Sequence, residues 1–421
     1  MKILIVNFSD TTGGAARAAY RLNTLLVNEG VDSKMLVNEK NSDNYNVLSP
    51  ETNTKKILAK FQAILNPFPL KKYKNTSPFS TSFVPSFNLV KKINDLEPDI
   101  VHLHWINAGM LNVKDISKIK APIVWSLHDM WAFTGGCHYS DGCEKFKNKC
   151  GNCPILSLTK ENDLSRNQFL KKSNSYNKKE NFTVVALSSW LKKEAENSML
   201  FKNRTIVNLP NPIDTNIYKP FDKNKARELW GLSNEKKYIL FGAMSNASYN
   251  RKGFKQLKES LKYLKDDDNN IELIIFGASK PEKSLHFGFP EHYLGQINDD
   301  VALKTLYNLA DVTVVPSLQE NLSNVIMESL SCGTPVVGFN IGGNKDLINH
   351  KQNGYLAEPF KVEDLSKGIQ WVLDHNNVEK LRENAREKVV NTFDNKIVLE
   401  QYLNLYNSIL NKEKTSSLKT I

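Results

Sequence analysis

Long apolar runs are missing from this chain of 421 residues. No segment approaches the roughly 18 consecutive apolar residues that a membrane-spanning helix needs. The first apolar run, KILIVNF, is too short for the hydrophobic part of a secretory signal peptide. These absences predict a cytoplasmic protein, at most peripheral at the inner face of the cell membrane, in which structural disulfides are not expected.

Acidic residues are missing from Thr52 to Asn94, a segment with eight lysines. The net charge of the chain is +11, so the remainder carries only +3. Because the excess charge lies in one segment and no nucleic-acid-binding module is visible, nucleic acid is not the expected partner. A basic nucleic-acid-binding protein is kept as an alternative that steep salt dependence of binding would favour.

The basic segment contains KKILAKFQAILNPFPLKKYK, from Lys55 to Lys74. Its apolar residues recur at helical spacing and lysines flank them, which predicts an amphipathic helix. Such a helix either lies on an anionic membrane surface or packs on its own domain with a solvated lysine rim. The sequence leaves both interpretations open.

Short apolar strands alternate with amphipathic helices in two successive series along the chain. This pattern predicts an α/β fold with two doubly wound parallel sheets, whose ligands bind beyond the carboxyl ends of the strands in a cleft between the halves. The predicted parts are an N-terminal domain at 1–208 with a cysteine-rich loop at 136–154, a linker at 209–220, a C-terminal domain at 221–392, and a helix at 393–421 that packs back on the N-terminal domain.

Two glycine-containing turns follow predicted strands and suit an anion. Gly13 and Gly14 open a helix whose first N–H groups point beyond the first strand. Arg251 and Lys252, followed by Gly253, combine two cations with a helix start, which suits a diphosphate. The first motif is not GxGxxG, which argues against a dinucleotide-dependent oxidoreductase. A tight turn and a solvated helix start are the respective alternatives.

Two glutamates eight residues apart, Glu320 and Glu328, lie within SLQENLSNVIMESLSCGTPVV. Glu320 is predicted in the loop after a buried strand and Glu328 on the second turn of the following helix. A carboxylate can accept hydrogen bonds from two vicinal hydroxyls, so the pair could hold two sugar rings. The alternative is an ordinary solvated helix face.

The stretch PSLQENLSNVIMESLSCGTPVVGFNIGGNKDLI resembles the Glu-x7-Glu region of retaining glycosyltransferases of family 4. The glycine pair, the strands DIVHLHW and SLHD, and the RKG turn fit the same family, so the resemblance covers nearly the whole chain. It implies the GT-B fold, in which two Rossmann-like domains face an active site between them. The N-terminal domain would take the acceptor and the C-terminal domain the nucleotide sugar.

The resemblance also implies roles for individual residues. Glu328 would hold the ribose of the nucleotide and Glu320 the transferred sugar. Asn321, Leu322 and Ser323 would form a donor loop. Arg251 and Lys252 would neutralise the diphosphate, and the backbone N–H groups of Gly13 and Gly14 would help. His128 of SLHD would lie beside the reacting sugar. His128, Glu320, Arg251 and Lys252 would be the catalytic residues, with His104 as a second-rank candidate.

Two departures from the family pattern concern the donor side. The family often has a glycine-arginine pair where this chain has Gly242 and Ala243, and Arg251 is the candidate substitute. The usual EGFG is ENLS here, so the loop after Glu320 is bulkier and donor specificity cannot be copied from other members.

The function implied is a retaining glycosyltransferase that moves a sugar from a UDP- or GDP-sugar to a growing cell-envelope glycan, of the capsule, exopolysaccharide or O-antigen type, which a lipid could carry. The family usually needs no metal, so no cofactor is expected for catalysis. Because no carboxylate nucleophile is evident, front-face attack within an ion pair is the working hypothesis. A nucleotide-sugar epimerase of the same fold is the enzymatic alternative.

Four cysteines lie within 17 residues, Cys137, Cys143, Cys150 and Cys153, spaced C-x5-C-x6-C-x2-C. This density predicts a structural zinc site, although only the last pair has the usual zinc-ligand spacing. A redox CxxC pair and simple reduced thiols are the alternatives. A similar loop occurs in family members that resemble colanic-acid and other exopolysaccharide transferases.

Overall fold

The computed structural model describes residues 1–75, 77–157, 160–242, 250–266, 270–278, 286–297 and 299–418. The chain divides into two compact units. The first unit comprises Met1–Asn211 together with the C-terminal segment from Leu399, and the second comprises Pro212–Val398. The domain limits given above stay a prediction.

The first unit is built on a seven-stranded sheet in which every pair of neighbours is parallel, in the order β3-β2-β1-β4-β5-β6-β7. Its strands are β1 Lys2–Val6, β2 Asp32–Leu36, β3 Val47–Leu48, β4 Ile100–Leu103, β5 Ile123–Leu127, β6 Phe182–Ala186 and β7 Thr205–Asn208. The central strands β4 and β5 are buried at every position, as expected where helices cover both faces of a parallel sheet.

The second unit contains a six-stranded parallel sheet in the order β10-β9-β8-β11-β12-β13. Its strands are β8 Lys237–Gly242, β9 Ile271–Phe276, β10 Glu291–Tyr293, β11 Val312–Val315, β12 Val336–Phe339 and β13 Gly354–Ala357. The two doubly wound parallel sheets confirm the predicted fold class.

Helices connect the strands in both units. They are α1 Gly14–Asn28, α2 Asn53–Leu65, α3 Leu89–Asp95, α4 Leu164–Asn177, α5 Ser189–Glu196, α6 Lys223–Leu229, α7 Phe254–Leu261, α8 Asp300–Leu309, α9 Asn324–Ser331, α10 Asn344–Leu347, α11 Val362–Leu373, α12 Val378–Phe393 and α13 Asn395–Leu418. Across the described ranges, no helix is long and apolar enough to cross a bilayer.

The strand order reverses direction once in each sheet, between β1 and β4 in the first and between β8 and β11 in the second. In open α/β sheets, such a switch point leaves a crevice beyond the carboxyl ends of the strands, where ligands bind. In the first sheet, Gly13 follows β1 and His104 follows β4, while His128 follows the next strand, β5. In the second sheet, Arg251 follows β8 and Glu320 follows β11.

Helix α13 returns the chain to the first unit. Tyr402 and Tyr406 are buried there, and the hydroxyl of Tyr406 lies 2.7 Å from Nδ1 of His102 on β4. The tyrosines therefore complete the polar interior of the first unit beside the ends of β4 and β5.

Candidate active site

Glu320 lies in the loop between β11 and α9 and is only 8% exposed. Its Oε2 accepts hydrogen bonds from Nζ of Lys252 at 2.8 Å and from Oγ of Ser317 at 3.3 Å. A guanidinium nitrogen of Arg251 lies 3.9 Å from the same oxygen. Burial acts to raise the pKa of Glu320, but the two cations outweigh it and lower the pKa below its ordinary value. Glu320 is thus a buried carboxylate that stays ionised.

Arg251 and Lys252 reach Glu320 because their turn is fixed against the loop after β11. The N–H of Leu318 donates to the carbonyl of Arg251 at 2.7 Å, and the Arg251 guanidinium donates to the carbonyl of Gln319 at 3.0 Å. Gly253 makes this approach feasible, since its φ is 73° and a Cβ there would stand 1.7 Å from the carbonyl oxygen of Pro316. Two motifs 68 residues apart in the sequence therefore form one cluster.

Glu328 lies on the second turn of α9 and is 3% exposed. Its Oε2 accepts a hydrogen bond of 2.9 Å from the hydroxyl of Tyr307 on α8. Burial and the neighbouring Glu328 carboxylate raise the pKa of Tyr307, so the tyrosine stays a donor. Sequence reasoning missed Tyr307, because it precedes Glu328 by 21 residues and carries no motif.

The loop between the two glutamates is ordered by its own backbone and by a neighbouring glycine pair. Ser323 caps α9, its Oγ accepting from the N–H of Ile326, while Asn321 and Leu322 are buried beside it. The N–H of Gly343 donates to the carbonyl of Glu320 at 3.2 Å. The bulkier ENLS sequence thus packs inward and does not leave a loose loop. Ala243, the other departure, lies outside the described residues.

In the first unit, His128 follows β5 and joins a stack of three histidines. Its Nε2 lies 2.9 Å from Nδ1 of His104, and the His104 ring lies 4.4 Å from that of His102. Burial lowers the pKa of His128 to about 4 and that of His102 to about 3, and it also lowers the pKa of His104. All three imidazoles are therefore neutral near pH 7.

A second polar chain begins at Asp129, next to His128. Oδ2 of Asp129 lies 2.6 Å from Nδ1 of His138, and Nε2 of His138 lies 2.7 Å from Oγ of Ser80. Burial acts to raise the pKa of Asp129, but His138 and the N–H of Trp131 lower it overall. The ionised Asp129 can only accept, so Nδ1–H of His138 donates to it, and the Ser80 hydroxyl shares the hydrogen bond with Nε2 of His138. Sequence reasoning missed Ser80 and His138. Ser80 belongs to no motif, and His138 is a single histidine inside the cysteine-rich loop.

Gly13 and Gly14 start α1 at the carboxyl end of β1. Gly13 has φ 89° and ψ 168°, a conformation that favours glycine. A Cβ at Gly13 would meet no described atom within 4 Å, so the space at the start of α1 is open. This openness leaves room for an anion at the helix N-terminus.

The four clustered cysteines line one small cavity of about 20 Å³ in the first unit. All are free thiols, and burial raises the pKa of Cys137 and of Cys150 to about 12. Within the described residues, no group of three or more histidine, cysteine, aspartate or glutamate side chains is arranged to hold a metal ion. The structural zinc site predicted at Cys137, Cys143, Cys150 and Cys153 is therefore not supported, because the spacing brings the thiols around a cavity without placing them as ligands.

Two family models match this chain. The model described as "Glycosyltransferase Family 4" matches residues 12–217, and the model described as "Glycosyl transferases group 1" matches residues 222–388. Together they cover every strand after β1 and the candidate residues in each unit. The fold and these matches define a glycosyltransferase of GT-B architecture.

Individual relatives agree with this class. An uncharacterized glycosyltransferase of Methanocaldococcus jannaschii, MJ1607, is 27% identical over 73% of this chain and 75% of the relative. The putative colanic acid biosynthesis glycosyl transferase WcaC of Escherichia coli is 24% identical over 74% of this chain and 77% of the relative. The crystal structure of Anabaena HepE in complex with UDP-glucose matches with a TM-score of 0.64 at 18% identity, over 97% of this chain and 100% of that chain.

The chain belongs to glycosyltransferase family 4, as its resemblance predicted. Its relatives include transferases of colanic acid and capsular polysaccharide biosynthesis.

Proposed function

We propose that this glycosyltransferase moves a sugar from a uridine diphosphate donor to a cell-envelope glycan, with retention of anomeric configuration. The observation that carries the proposal is the Arg251–Lys252–Glu320 cluster at the carboxyl end of the second sheet. A UDP donor is favoured over a GDP donor because the structurally similar HepE holds UDP-glucose.

The cluster offers opposite charges to the two parts of a nucleotide sugar. Breaking the bond to the anomeric carbon leaves negative charge on the diphosphate and oxocarbenium character on the sugar. Arg251 and Lys252 would stabilise the departing diphosphate, and fixed cations of this kind lower the barrier because they need no reorganisation. Lys252 and Ser317 both bond Oε2 of Glu320. A carboxylate has about four lone-pair positions, so Glu320 could still accept from sugar hydroxyls.

Glu328 is proposed to hold the two ribose hydroxyls. A carboxylate that accepts from a vicinal diol must keep a fixed orientation, and the hydrogen bond from Tyr307 supplies one. Asn321, Leu322 and Ser323 would form the wall of the donor site between the two glutamates. Tyr307 is a positioning residue in this scheme, because it acts on the ribose only through Glu328.

The first unit is proposed to bind the acceptor at the carboxyl ends of β1, β4 and β5. A neutral His128 can hydrogen-bond a sugar hydroxyl without adding a positive charge to the site. The hydroxyl of Ser80, polarised through His138 towards Asp129, offers its oxygen as an acceptor for a second hydroxyl. Gly13 and Gly14 would add backbone N–H groups for a phosphate oxygen.

The experiment that tests the donor proposal compares UDP-sugars with GDP-sugars by thermal shift, and then determines the anomeric configuration of the product by NMR. A UDP-sugar should raise the unfolding temperature and give a product with the donor's configuration. Stabilisation by GDP-sugars alone, or an inverted product, would contradict the corresponding part of the proposal.

The Lys252→Ala variant tests the role of the cluster in the same assay. Turnover should fall by about 100-fold, since removal of a group that stabilises transition-state charge commonly costs about 2.7–4 kcal/mol. Lys255→Ala is the matched control, because Lys255 is an exposed lysine on the adjacent helix α7. Equal turnover in the two variants would remove Lys252 from the mechanism.

A further inference from the structure

Helix α2 exposes its large apolar side chains to solvent and faces the protein with a small and a polar residue. Its buried residues are Ala59 and Gln62. The large apolar side chains of α2 and the turn after it are exposed, at 64% for Ile57, 40% for Leu58, 57% for Phe61, 71% for Ile64, 39% for Leu65 and 53% for Phe68. This orientation is the reverse of a surface helix that packs on its own domain.

Hydrogen bonds fix the reversed orientation. Nε2 of Gln62 donates to the carbonyl of Pro85 at 2.8 Å. Asn66, just after α2, donates to the carbonyl of Thr81 at 2.6 Å and accepts from the N–H groups of Phe83 and Val84 at 3.0 and 3.3 Å. Turning the helix over would bury the apolar side but leave these polar groups without partners. The outward apolar side is therefore a stable feature of the fold.

The same hydrogen bonds bring a second segment beside α2. Phe83 and Phe87 lie on it and are 50% and 48% exposed. We define the apolar ridge as the eight exposed side chains of these two segments, namely Ile57, Leu58, Phe61, Ile64, Leu65, Phe68, Phe83 and Phe87. Single exposed apolar residues are normal on a protein surface, but this many held together by one buried polar network mark an interaction surface.

Lysines surround the apolar ridge without any acidic residue in the segment. Six exposed lysines belong to it, Lys55, Lys56, Lys60, Lys71, Lys72 and Lys74. Lys71 stays close to the ridge, since its Nζ lies 5.2 Å from the ring centre of Phe68. A second copy of this chain would bring like charges together on the same face. A partner with an apolar interior and an anionic border would match both the apolar side chains and the lysines of this surface.

We propose that the apolar ridge inserts into the acyl-chain region of an anionic lipid bilayer while its lysines contact the headgroups. Insertion of this kind draws on buried apolar area as well as on charge, so salt weakens it without abolishing it. The inference deepens the proposed function and rests on it, because an acceptor glycan carried by a membrane lipid would bring the enzyme to the membrane surface. It specifies how the enzyme would attach to the membrane: α2 and the segment with Phe83 and Phe87 would penetrate the bilayer, in addition to the attraction between charges.

Sedimentation of the full-length protein with vesicles tests the proposal. The vesicles are phosphatidylcholine alone or with about 30% phosphatidylglycerol, at low salt and at about 0.5 M NaCl, where charges are screened within a few ångströms. The wild type should prefer the anionic vesicles and keep measurable binding to them at high salt. Loss of all binding at high salt would contradict insertion and leave only surface attraction.

Paired variants separate the apolar and charged contributions. Phe61→Ser with Ile64→Ser should lower the partition coefficient at least tenfold at both salt concentrations. The control, Leu229→Ser with Tyr263→Ser, removes two apolar side chains of similar exposure, 68% and 56%, from the second unit and should bind like the wild type. Equal binding by both double variants would overturn the proposal.

Two further measurements keep the membrane inference apart from the rest of the function. Light scattering without lipid should show no dimer that depends on Phe61, and such a dimer would assign the ridge to contact between copies. UDP binding without vesicles should be the same in the wild type and in the Phe61→Ser, Ile64→Ser variant. Loss of vesicle binding with UDP binding retained supports the ridge, whereas absence of UDP binding in the wild type would count against the donor proposal alone.

Discussion

At the scale of single residues, the candidate donor site contains Glu320, a carboxylate that remains charged although it is buried. An isolated buried carboxylate is costly and would take up a proton. Glu320 avoids this because Lys252 and Arg251 lie beside it, and the Glu328 carboxylate accepts a hydrogen bond from the hydroxyl of Tyr307. When a donor binds, the site's polar groups exchange hydrogen bonds within the protein for hydrogen bonds to the donor. Because these groups are already buried, their desolvation costs little more on binding.

The first prediction concerns Tyr307. Tyr307→Phe removes the hydrogen bond to Glu328 while keeping the ring in the core, so the fold should survive. KM for the donor should rise by about 5- to 10-fold with kcat nearly unchanged, since a hydrogen bond to a charged group contributes about 1.5–3 kcal/mol and water can replace part of it.

Tyr238→Phe provides the control for steady-state kinetics of the Tyr307 variant. Tyr238 is also a buried tyrosine of the second unit, but its hydroxyl donates to the carbonyl of Ser233. Its variant should keep the wild-type KM. A Tyr307→Phe enzyme with unchanged KM would show that Glu328 does not depend on Tyr307 for ribose binding.

The sequence predicted the charged residues of the donor cluster better than the residues that hydrogen-bond to the site's side chains. Arg251, Lys252 and Glu320 stand out because charged residues follow buried strands, and parallel strands end at a common edge. Tyr307 and Ser80 give no such signal, because a tyrosine on a helix and a serine in a loop are common everywhere. Their contacts depend on how distant elements pack, which local pattern cannot specify. The roles assigned to the predicted residues stay predictions.

At the scale of elements, β4, β5 and α13 enclose three neutral histidines. His102 hydrogen-bonds Tyr406 of α13 through Nδ1 and Ser126 of β5 through Nε2. His102 and His104 alternate in DIVHLHW, and their ring centres lie 4.4 Å apart. The contribution of α13 could not be read from the sequence, because Tyr406 lies 304 residues from His102.

This enclosure predicts how the stability of the first unit depends on pH. The pKa of His102 is about 3 in the fold against an ordinary value of 6.5, so below about pH 6.5 the unfolded chain binds a proton that the folded chain does not. Stability is therefore complete above about pH 6.5 and falls as the pH decreases towards about 4. The loss should be about 1.4 kcal/mol per pH unit for each histidine that stays neutral.

Urea unfolding at a series of pH values measures this slope in the wild type and in His102→Gln. The variant lacks one titrating group, so its slope should be shallower by about 1.4 kcal/mol per pH unit over the same range. The comparison uses the slope because the substitution changes the absolute stability as well. An identical slope in both proteins would mean that His102 takes up its proton while the unit is still folded.

Helix α2 shows a different limit of sequence reasoning at the element scale. Helical spacing of apolar residues predicted the helix, and Asn53–Leu65 is helical. Periodicity gives the two sides of a helix but not which side faces the protein. That choice is made by Gln62 and Asn66, whose side chains bond a backbone segment about 20 residues later in the chain.

At the scale of the whole molecule, the side chains assigned to the donor lie on the second unit and those assigned to the acceptor on the first, while the backbone of Gly13 and Gly14 is the first unit's proposed contribution to phosphate binding. The hydrogen bonds from Lys252 to Glu320 and from Tyr307 to Glu328 join residues within 212–398. The contacts of His128 and of Ser80 come from the first unit. Binding of the nucleotide alone and transfer of the sugar should therefore respond differently to substitutions in the two units.

The final prediction compares His128→Ala with Lys252→Ala in the full-length enzyme. His128→Ala should leave the Kd for UDP within about twofold of the wild type, because it removes no contact of the second unit, yet reduce sugar transfer by at least 100-fold. Lys252→Ala should weaken UDP binding as well, by roughly 10-fold for the loss of a charge-assisted contact to phosphate. Calorimetric titration with UDP and a radiolabelled transfer assay supply the two readouts. If His128→Ala weakened UDP binding as much as Lys252→Ala does, the His128 side chain would belong to the nucleotide site, and its assignment to sugar transfer alone would be wrong.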